Sequence, residues 1–440
     1  MSNQHIEVVP SNTTSDGILS FSNGQPVIQF IIGEQDRYLL GNSVRLVGNF
    51  SVLNGSGALG SVNASLSMDG RTSLYSCIDQ LVIKSQATNQ TIEHIRNFGR
   101  FMASYLATTC DKQDGLSYKS QGSLQVPNFQ AIQDGIVDNQ GNLGEGPSFS
   151  LELPCGLFNG TGPIPLSRSW GIGGLLLEIH LAPDNNVLYA TSGLGTDISN
   201  AFYQFKNLSL SAEVQRPNPS ELATLNSRGS KGGTFEYNSV SSYYTTIDSS
   251  NGIINFALGL SRVLSVFCNF IPSSQINNRA FNGMSTNPLT NDGGANAFVR
   301  QVIFTRGGER LPLEYNIDTL QKYDPNNIFP EAQLIRNYID AIQTFSKNIS
   351  NSLNVENMTP NDLAAPSTGG GYNEYIDGGC GFGIGVAFDK ISNQGIDFSS
   401  TNFGIQIDNN LTTTNPQSVY MFVYSKQTLV FNESGVNVLK

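Results

Sequence analysis

The stretch Phe205-Lys206-Asn207-Leu208-Ser209-Leu210-Ser211-Ala212 decides the fold. Successive side chains of an extended chain point to opposite faces, so Leu208, Leu210 and Ala212 share one side while Ser209 and Ser211 share the other. That is the pattern of an antiparallel strand with one buried face and one wet face. Working outward, short runs rich in Val, Ile, Leu, Phe and Tyr recur between Gly, Asn, Ser and Pro punctuation at spacings typical of a sandwich. They predict strands over residues 27–32, 44–52, 78–84, 149–153, 175–181, 202–214, 253–258, 299–305, 381–388, 403–407 and 419–431. Two stretches carry a helical period instead. Ile92, Ile95, Phe98, Met102, Tyr105 and Leu106 form one stripe with Glu93, His94 and Arg96 turned away from it. Leu334, Ile335, Tyr338, Ile339, Ile342 and Phe345 form another, after the helix-starting pair Pro330-Glu331.

Cutting the chain near residues 215–233 exposes an internal repeat. Each half begins with two long apolar strands, continues with a third strand and the amphipathic helix, and ends on a long alternating strand (202–214 and 419–431). A Cys-Gly pair follows the helix in both (Cys155-Gly156; Cys380-Gly381), and aligning Cys77 with Val302 puts the two pairs at equal separations. The expected fold is therefore all-β: two antiparallel eight-stranded jelly-roll sandwiches with short flanking helices and long loops. Residues 1–214 make the first, with residues 1–24 as a polar, flexible arm; 215–232 make a linker, and 233–440 make the second. Each half is about twice the length that eight short strands require, so the surplus falls in loops over 111–146, 273–296 and 348–379.

Composition narrows the function. Only 13% of the residues are charged, and the polar surface is built from Asn, Ser, Thr, Gln and Gly, which suits a protein meant to pack against neighbours. A net charge of −11 with no dense basic run argues against direct nucleic-acid binding, since Arg228 to Lys231 reads as linker. Cys77, Cys110, Cys155, Cys268 and Cys380 are too widely spaced for a disulfide framework or a zinc site and read as buried small hydrophobes in a reducing compartment. The polar first residues do not resemble a signal peptide, and no apolar run is long enough to span a bilayer, so synthesis in the cytosol is expected. Triplets such as Asn49-Phe50-Ser51, Asn207-Leu208-Ser209 and Asn432-Glu433-Ser434 are then unused glycosylation acceptors.

Catalytic patterns are sparse. His5, His94 and His180 have no metal-ligand spacing, and His180 with Glu178 reads as the polar outer face of a strand. The run Gly378-Gly379-Cys380-Gly381-Phe382-Gly383-Ile384-Gly385 lacks the Lys-Ser/Thr and the helix of a phosphate loop and predicts closely packed backbones. Glu145, Glu152 and Asp184 are the carboxylates a glycan-processing enzyme would draw on, without spacing to support that role. Trp170 is the single tryptophan, whereas a sugar-binding groove usually stacks several aromatics, and the many Tyr and Phe fall mostly on strand periods that a core would use; a receptor- or carbohydrate-binding β-sandwich module is the alternative reading. No catalytic, cofactor-binding or metal residue is assigned, and no cofactor is expected.

The residues around Leu74 to Lys84, the helix that follows them, Leu153-Pro154-Cys155-Gly156-Leu157-Phe158 with Pro163-Ile164-Pro165-Leu166, and Ser418-Val419-Tyr420-Met421-Phe422-Val423-Tyr424 resemble the double jelly-roll major capsid proteins of the adenovirus-type lineage, especially those of Polinton-like viruses and virophages. The resemblance covers nearly the whole chain as an order of elements. It implies a structural protein and not an enzyme: a pseudo-hexagonal homotrimer that tiles the icosahedral shell of a double-stranded DNA virus. It also implies neighbouring capsomers, penton and minor capsid proteins as partners, a virion location, and minor proteins or an internal membrane beneath the shell.

Overall fold

The computed structural model describes residues 3–13, 17–53, 55, 66–69, 72–109, 148–159, 162–190, 199–229, 232–248, 251–284, 301–311, 317–318, 332–345, 383–389, 394–408, 416–432 and 435–440. The expected loops 111–146 and 348–379, the later part of 273–296, and Cys110, Glu145 and Cys380 lie outside them. In the first half the strands are β1 (Asn3–Val8), β2 (Val27–Ile32), β3 (Tyr38–Leu53), β4 (Leu66–Ser67), β5 (Ile78–Ser85), β6 (Thr91–Arg96), β7 (Ser148–Glu152), β8 (Ile164–Pro165), β9 (Leu175–Leu181), β10 (Tyr189–Ala190) and β11 (Phe202–Gln215). Helix α1 (Phe98–Thr109) follows β6, and the single turn α2 (Asp184–Val187) follows β9. Helix α3 (Pro219–Gly229) leads to the second half, where β12 (Gly233–Ile247), β13 (Asn251–Phe256), β14 (Val263–Pro272), β15 (Gln301–Arg306), β16 (Glu309–Arg310) and β17 (Ile317–Asp318) precede α4 (Ala332–Gln343). The chain ends with β18 (Ile384–Ala387), β19 (Phe403–Asp408), β20 (Gln417–Asn432) and β21 (Gly435–Leu439).

Sheet order carries the architecture. One sheet of the first half runs β1-β11-β3-β7 and the other β2-β9-β5-β6; in the second half the sheets run β12-β20-β14-β18 and β13-β19-β15-β16. With the short strands β4, β8 and β10 set aside in the first half, and β17 and β21 in the second, the spatial order by sequence rank is 1-8-3-6 and 2-7-4-5 in both halves. All pairings between these strands are antiparallel. This is the double Greek key of a jelly roll, and it occurs twice. In both halves the helix follows the fifth strand.

Three expectations are corrected. Residues 3–8 are not a flexible arm but the first strand of the first roll, registered on β11 from Asn3↔Gln215 to Val8↔Leu210. Ile6 and Val8 pack against the core while His5 and Glu7 face outward, so even this polar segment keeps the period of two. The helical stripe beginning at Ile92 is in truth strand β6 followed by helix: Asn97, with φ of 55°, breaks the chain between them, and Asn tolerates that left-handed conformation better than most residues. Residues 215–232 are not plain linker, because Pro219 opens α3 and the Asn218 side chain caps it, accepting from the Glu221 amide at 2.7 Å and the Ser220 hydroxyl at 2.8 Å.

The stretch that decided the fold lies in β11, with Leu208, Leu210 and Ala212 all buried and Ser211 half-buried, but Ser209, read as facing water, is buried too. Its register on β3 shifts twice, between Ser211 and Glu213 and at a bulge between Lys206 and Ser209, where Asn207 takes φ of 50° and Gly48 on β3 leaves room for the displaced backbone. The second roll encloses its own core of Val266, Cys268, Phe270, Ile405, Met421 and Val423, among others. The first roll's core does not stop at its own boundary. It runs through α1 and α4 to Phe267, Phe422 and Tyr424, on the outer face of the sheet of β14 and β20.

Candidate functional site at the junction of the two rolls

Two long side chains and one glycine fasten the rolls together. Glu93, on β6, accepts from the amides of Gly156 (3.0 Å) and Leu157 (2.9 Å) just after β7, and from the amide of Val240 (2.8 Å) on β12 of the other roll. The carboxylate is fully enclosed. Burial pushes its carboxyl above the usual carboxylate range, while the three amides and the Cys155 thiol pull it back without cancelling the burial. The same burial and the Glu93 charge push the Cys155 thiol well up, so it is an inert donor there and not a nucleophile. Gly156 has no alternative: a Cβ would stand 1.8 Å from the Asn238 carbonyl oxygen of β12. Beside it the Tyr237 hydroxyl donates to the Ile92 carbonyl at 2.7 Å, and the Arg96 amide donates to the Ser242 hydroxyl at 3.1 Å.

Helix α1 forms the second part of the junction. Phe101 is fully buried and meets the rings of Phe267, Phe345 and Phe422 with centroids 5.5 to 6.2 Å apart, in tilted or edge-on contacts that suit the ring quadrupoles. Phe345, just past α4, stacks on Tyr424 at 4.6 Å. The Arg100 guanidinium lies over the Tyr420 ring at 5.1 Å, and the Asn269 side-chain amide donates to the Arg100 carbonyl (3.1 Å) and the Ser104 hydroxyl (2.7 Å). At the far end Asp69 accepts from the Asn282 side chain at 2.8 Å and from the Thr72 amide at 2.7 Å, joining the segment after β14 to the first roll. The arrangement positions one sandwich on another and excludes water; it presents no reacting atom.

The side chains singled out for chemistry do not converge. His5 lies on β1, His94 on β6 bonds Gln80 at 2.8 Å, and His180 on β9 shares the outer sheet face with Glu178. Glu178 accepts from Lys84 (2.7 Å) and Gln29 (3.1 Å), a structural ion pair on that polar face. Burial, then the Arg96 charge, hold His94 below its ordinary range. Glu152 pairs with Arg45 at 3.1 Å on the outer face of the first sheet. Asp184 is bound instead by the Ser22 hydroxyl (2.5 Å) and the Tyr203 amide (3.0 Å). Trp170 is buried against Tyr38 and offers no stacking platform. Among the described residues no group of three His, Cys, Asp or Glu side chains is placed to hold a metal ion. Among them, too, no helix is long and apolar enough to cross a membrane.

The glycine run does what close packing requires where it is described. A Cβ on Gly383 would stand 2.3 Å from the Tyr338 ring, and one on Gly385 2.8 Å from Ala341, so both residues admit α4 onto β18. Cys155-Gly156 follows the sixth strand of its roll, whereas Cys380-Gly381, the pair matched to it, lies outside the described residues. Sequence reasoning missed Glu93. Its signal was a lone acid between Ile92 and Ile95, which a helical reading turned toward solvent.

Two sandwiches with one shared strand order, fused through a dry helical junction, make a double jelly roll, and that fold is similar to the fold of viral major capsid proteins. Solved structures make the likeness specific. The Faustovirus major capsid protein superposes with a TM-score of 0.62 at 9% identity, over 98% of this chain and 90% of its own. The PBCV-1 virus capsid gives 0.57 at 10%, over 100% and 96%. The mavirus major capsid protein gives 0.52 at 11%, over 99% and 90%. No protein-family model and no curated protein matches the chain.

Proposed function

We propose that this protein is a structural major capsid protein, without catalytic activity or cofactor, that assembles as a pseudo-hexagonal homotrimer and tiles an icosahedral virion shell. The observation that carries this reading is the repetition of one strand order, 1-8-3-6 with 2-7-4-5, in both halves of a single chain. Two near-equivalent sandwiches per chain let three chains present six near-equivalent sides, the geometry a hexagonal position needs from one gene product. Residues 1–214 form the first building block and 233–440 the second, with α3 spanning the 215–232 connection. Neighbouring capsomers, a penton protein at the five-fold positions and minor capsid proteins are the partners, in a virion whose subunits are made in the host cytosol. The net charge of −11 leaves direct genome contact to something else.

Light scattering on a sizing column, with electron microscopy of any heavy fraction, tests the reading. A stable species of three chains, or closed particles, is expected. A compact monomer at every concentration would remove the capsomer assignment.

A further inference from the structure

The four large sheets end on eight strands, and an edge strand with free backbone groups invites pairing unless something guards it. Seven of the eight carry a guard. Strand β1 holds His5 and Glu7, β7 holds Glu152, and β16 is two residues long, Glu309-Arg310. Strand β18 has four residues with α4 packed on them. Strands β6 and β12 close each other: Tyr237 and Ser242 of β12 bond the Ile92 carbonyl and the Arg96 amide, and Glu93 of β6 bonds the Val240 amide. Strand β2 is closed by the chain's own Ser11-Asn12. The Ser11 amide donates to the Gln29 carbonyl at 2.8 Å, the Asn12 side-chain oxygen accepts from the Gln29 amide at 2.9 Å, and the Asn12 side-chain nitrogen donates to the Val27 carbonyl at 2.7 Å.

Strand β13 has none of these devices. Its sequence, Asn-Gly-Ile-Ile-Asn-Phe, holds no charge and no proline, and its register on β19 runs without a shift from Asn251↔Asp408 to Phe256↔Phe403. Ile253 is 68% exposed, and among the described residues the backbone of β13 pairs with β19 alone. Its equivalent in the first roll is β2, and the difference between them has a cause in chain length. Residues 9–26 separate β1 from β2, enough to lay Ser11-Asn12 alongside, whereas only residues 248–250 separate β12 from β13. Three residues reach about 10 Å at full extension, the spacing of packed sheets, so none is left over to cover the edge.

We propose that the free edge of β13 is a docking strand for an extended, uncharged segment of a second protein, which adds to it antiparallel as Ser11-Asn12 add to β2. The inference goes beyond the capsid reading and holds whether the chain stands alone or in a trimer. The chemistry of the occupant is given by the covered twin. Ser11 and Asn12 run against the direction of β2 and offer it one backbone donor, one side-chain donor and one side-chain acceptor. Gln29 and Ile253 are each the third residue of six, and burial is in step: Ile28, Phe30 and Ile32 are buried in one strand, Gly252, Ile254 and Phe256 in the other. The Ile253 backbone therefore faces the open side as the Gln29 backbone does, and a serine or asparagine of the incoming segment bonds it there. A β-branched neighbour in that segment packs on the exposed Ile253 side chain. What lies beside β2 is a single segment and not the edge of a second sheet, so a single segment is assigned to β13.

Hydrogen exchange of the full chain, read by mass spectrometry with the synthetic peptide Thr-Val-Ser-Asn-Val-Thr at millimolar concentration, tests the proposal. Exchange over residues 251–256 is expected to slow about fivefold or more, and that over 27–32, already covered, to stay as it is. Ile253→Lys places a charge on the edge at an exposed position and is expected to abolish the slowing with an unchanged circular dichroism spectrum. Asn255→Lys gives the same readout should the first variant fold poorly. No slowing in the wild type, or slowing that survives the lysine, overturns the docking strand. Exchange of β13 that quickens on dilution of the wild type without peptide, together with a lower mass of Ile253→Lys in light scattering, assigns the edge to another copy of the chain and overturns it as well.

Discussion

Glu93 is an acid placed where charge is expensive, yet all its capacity to accept is used. Three backbone amides and a thiol surround it, drawn from the segment after β7 in its own roll and from β12 of the other. A glutamine at this position keeps the shape but turns an NH2 toward one of those amides. Replacing Glu93 by Gln should therefore cost about 1–3 kcal/mol, the usual penalty for a buried donor left without an acceptor. The pH dependence has a definite sign. Because burial holds the folded-state carboxyl above its ordinary value near 4.5, the folded chain binds a proton more readily than the unfolded one, and Glu93 contributes most below that value. Its contribution declines as pH rises through the raised folded value. Denaturant midpoints of wild type and Glu93→Gln should accordingly lie further apart near the acid end than at neutral pH; a gap that widens toward neutrality contradicts this. Gly156→Ala is the companion change. With its Cβ 1.8 Å from a backbone oxygen, strand β12 must move, and a loss of about 3 kcal/mol or more is expected in the same measurement.

At the scale of elements, α1 connects the rolls through Phe101, so its truncation should be felt at the junction before it is felt in either core. Phe101→Ala is expected to destabilise by about 3–5 kcal/mol, as for other fully buried aromatics. Limited proteolysis should then cut the connection at 215–232 faster than in wild type; equal rates would mean that the rolls are held by other contacts. Much of this level was legible in the sequence. Strands with one wet face, such as β9 and β11, show their period directly, and the predicted strand over 175–181 coincides with β9. Strand β6 was hidden because it is covered on both sides, by its own roll and by β12. Ile92, Glu93 and Ile95 are all buried, no alternation remains, and a spacing of three fits a helix as well. Strand β1 was hidden for the opposite reason, since only Ile6 and Val8 touch the core and the rest reads as a polar tail. The role of Gly383 and Gly385 in admitting α4 was readable as close packing, though not which element they admit.

For the whole molecule, the repeat was visible as an order of features but not as a topology. Strand ranks two, three, four and eight and the helix aligned correctly, while the second Cys-Gly pair lies outside the described residues. Nothing in a linear pattern shows that every residue of β14 is covered while β3 alternates buried and part-exposed positions along most of its length. Charge then governs how readily copies meet. Each chain carries a formal −11, so bringing copies together works against like-charge repulsion even though only 13% of the residues are charged. That repulsion acts between solvated surfaces and is screened within about 10 Å at roughly 0.1 M salt. Assembly should therefore be promoted as salt rises from about 0.02 to 0.5 M, with light scattering showing particles at lower protein concentration, until screening is complete and the gain levels off. A protein whose copies were held mainly by ion pairs would respond the other way, dissociating as salt rises, and that outcome would place the binding energy in charge pairs between copies.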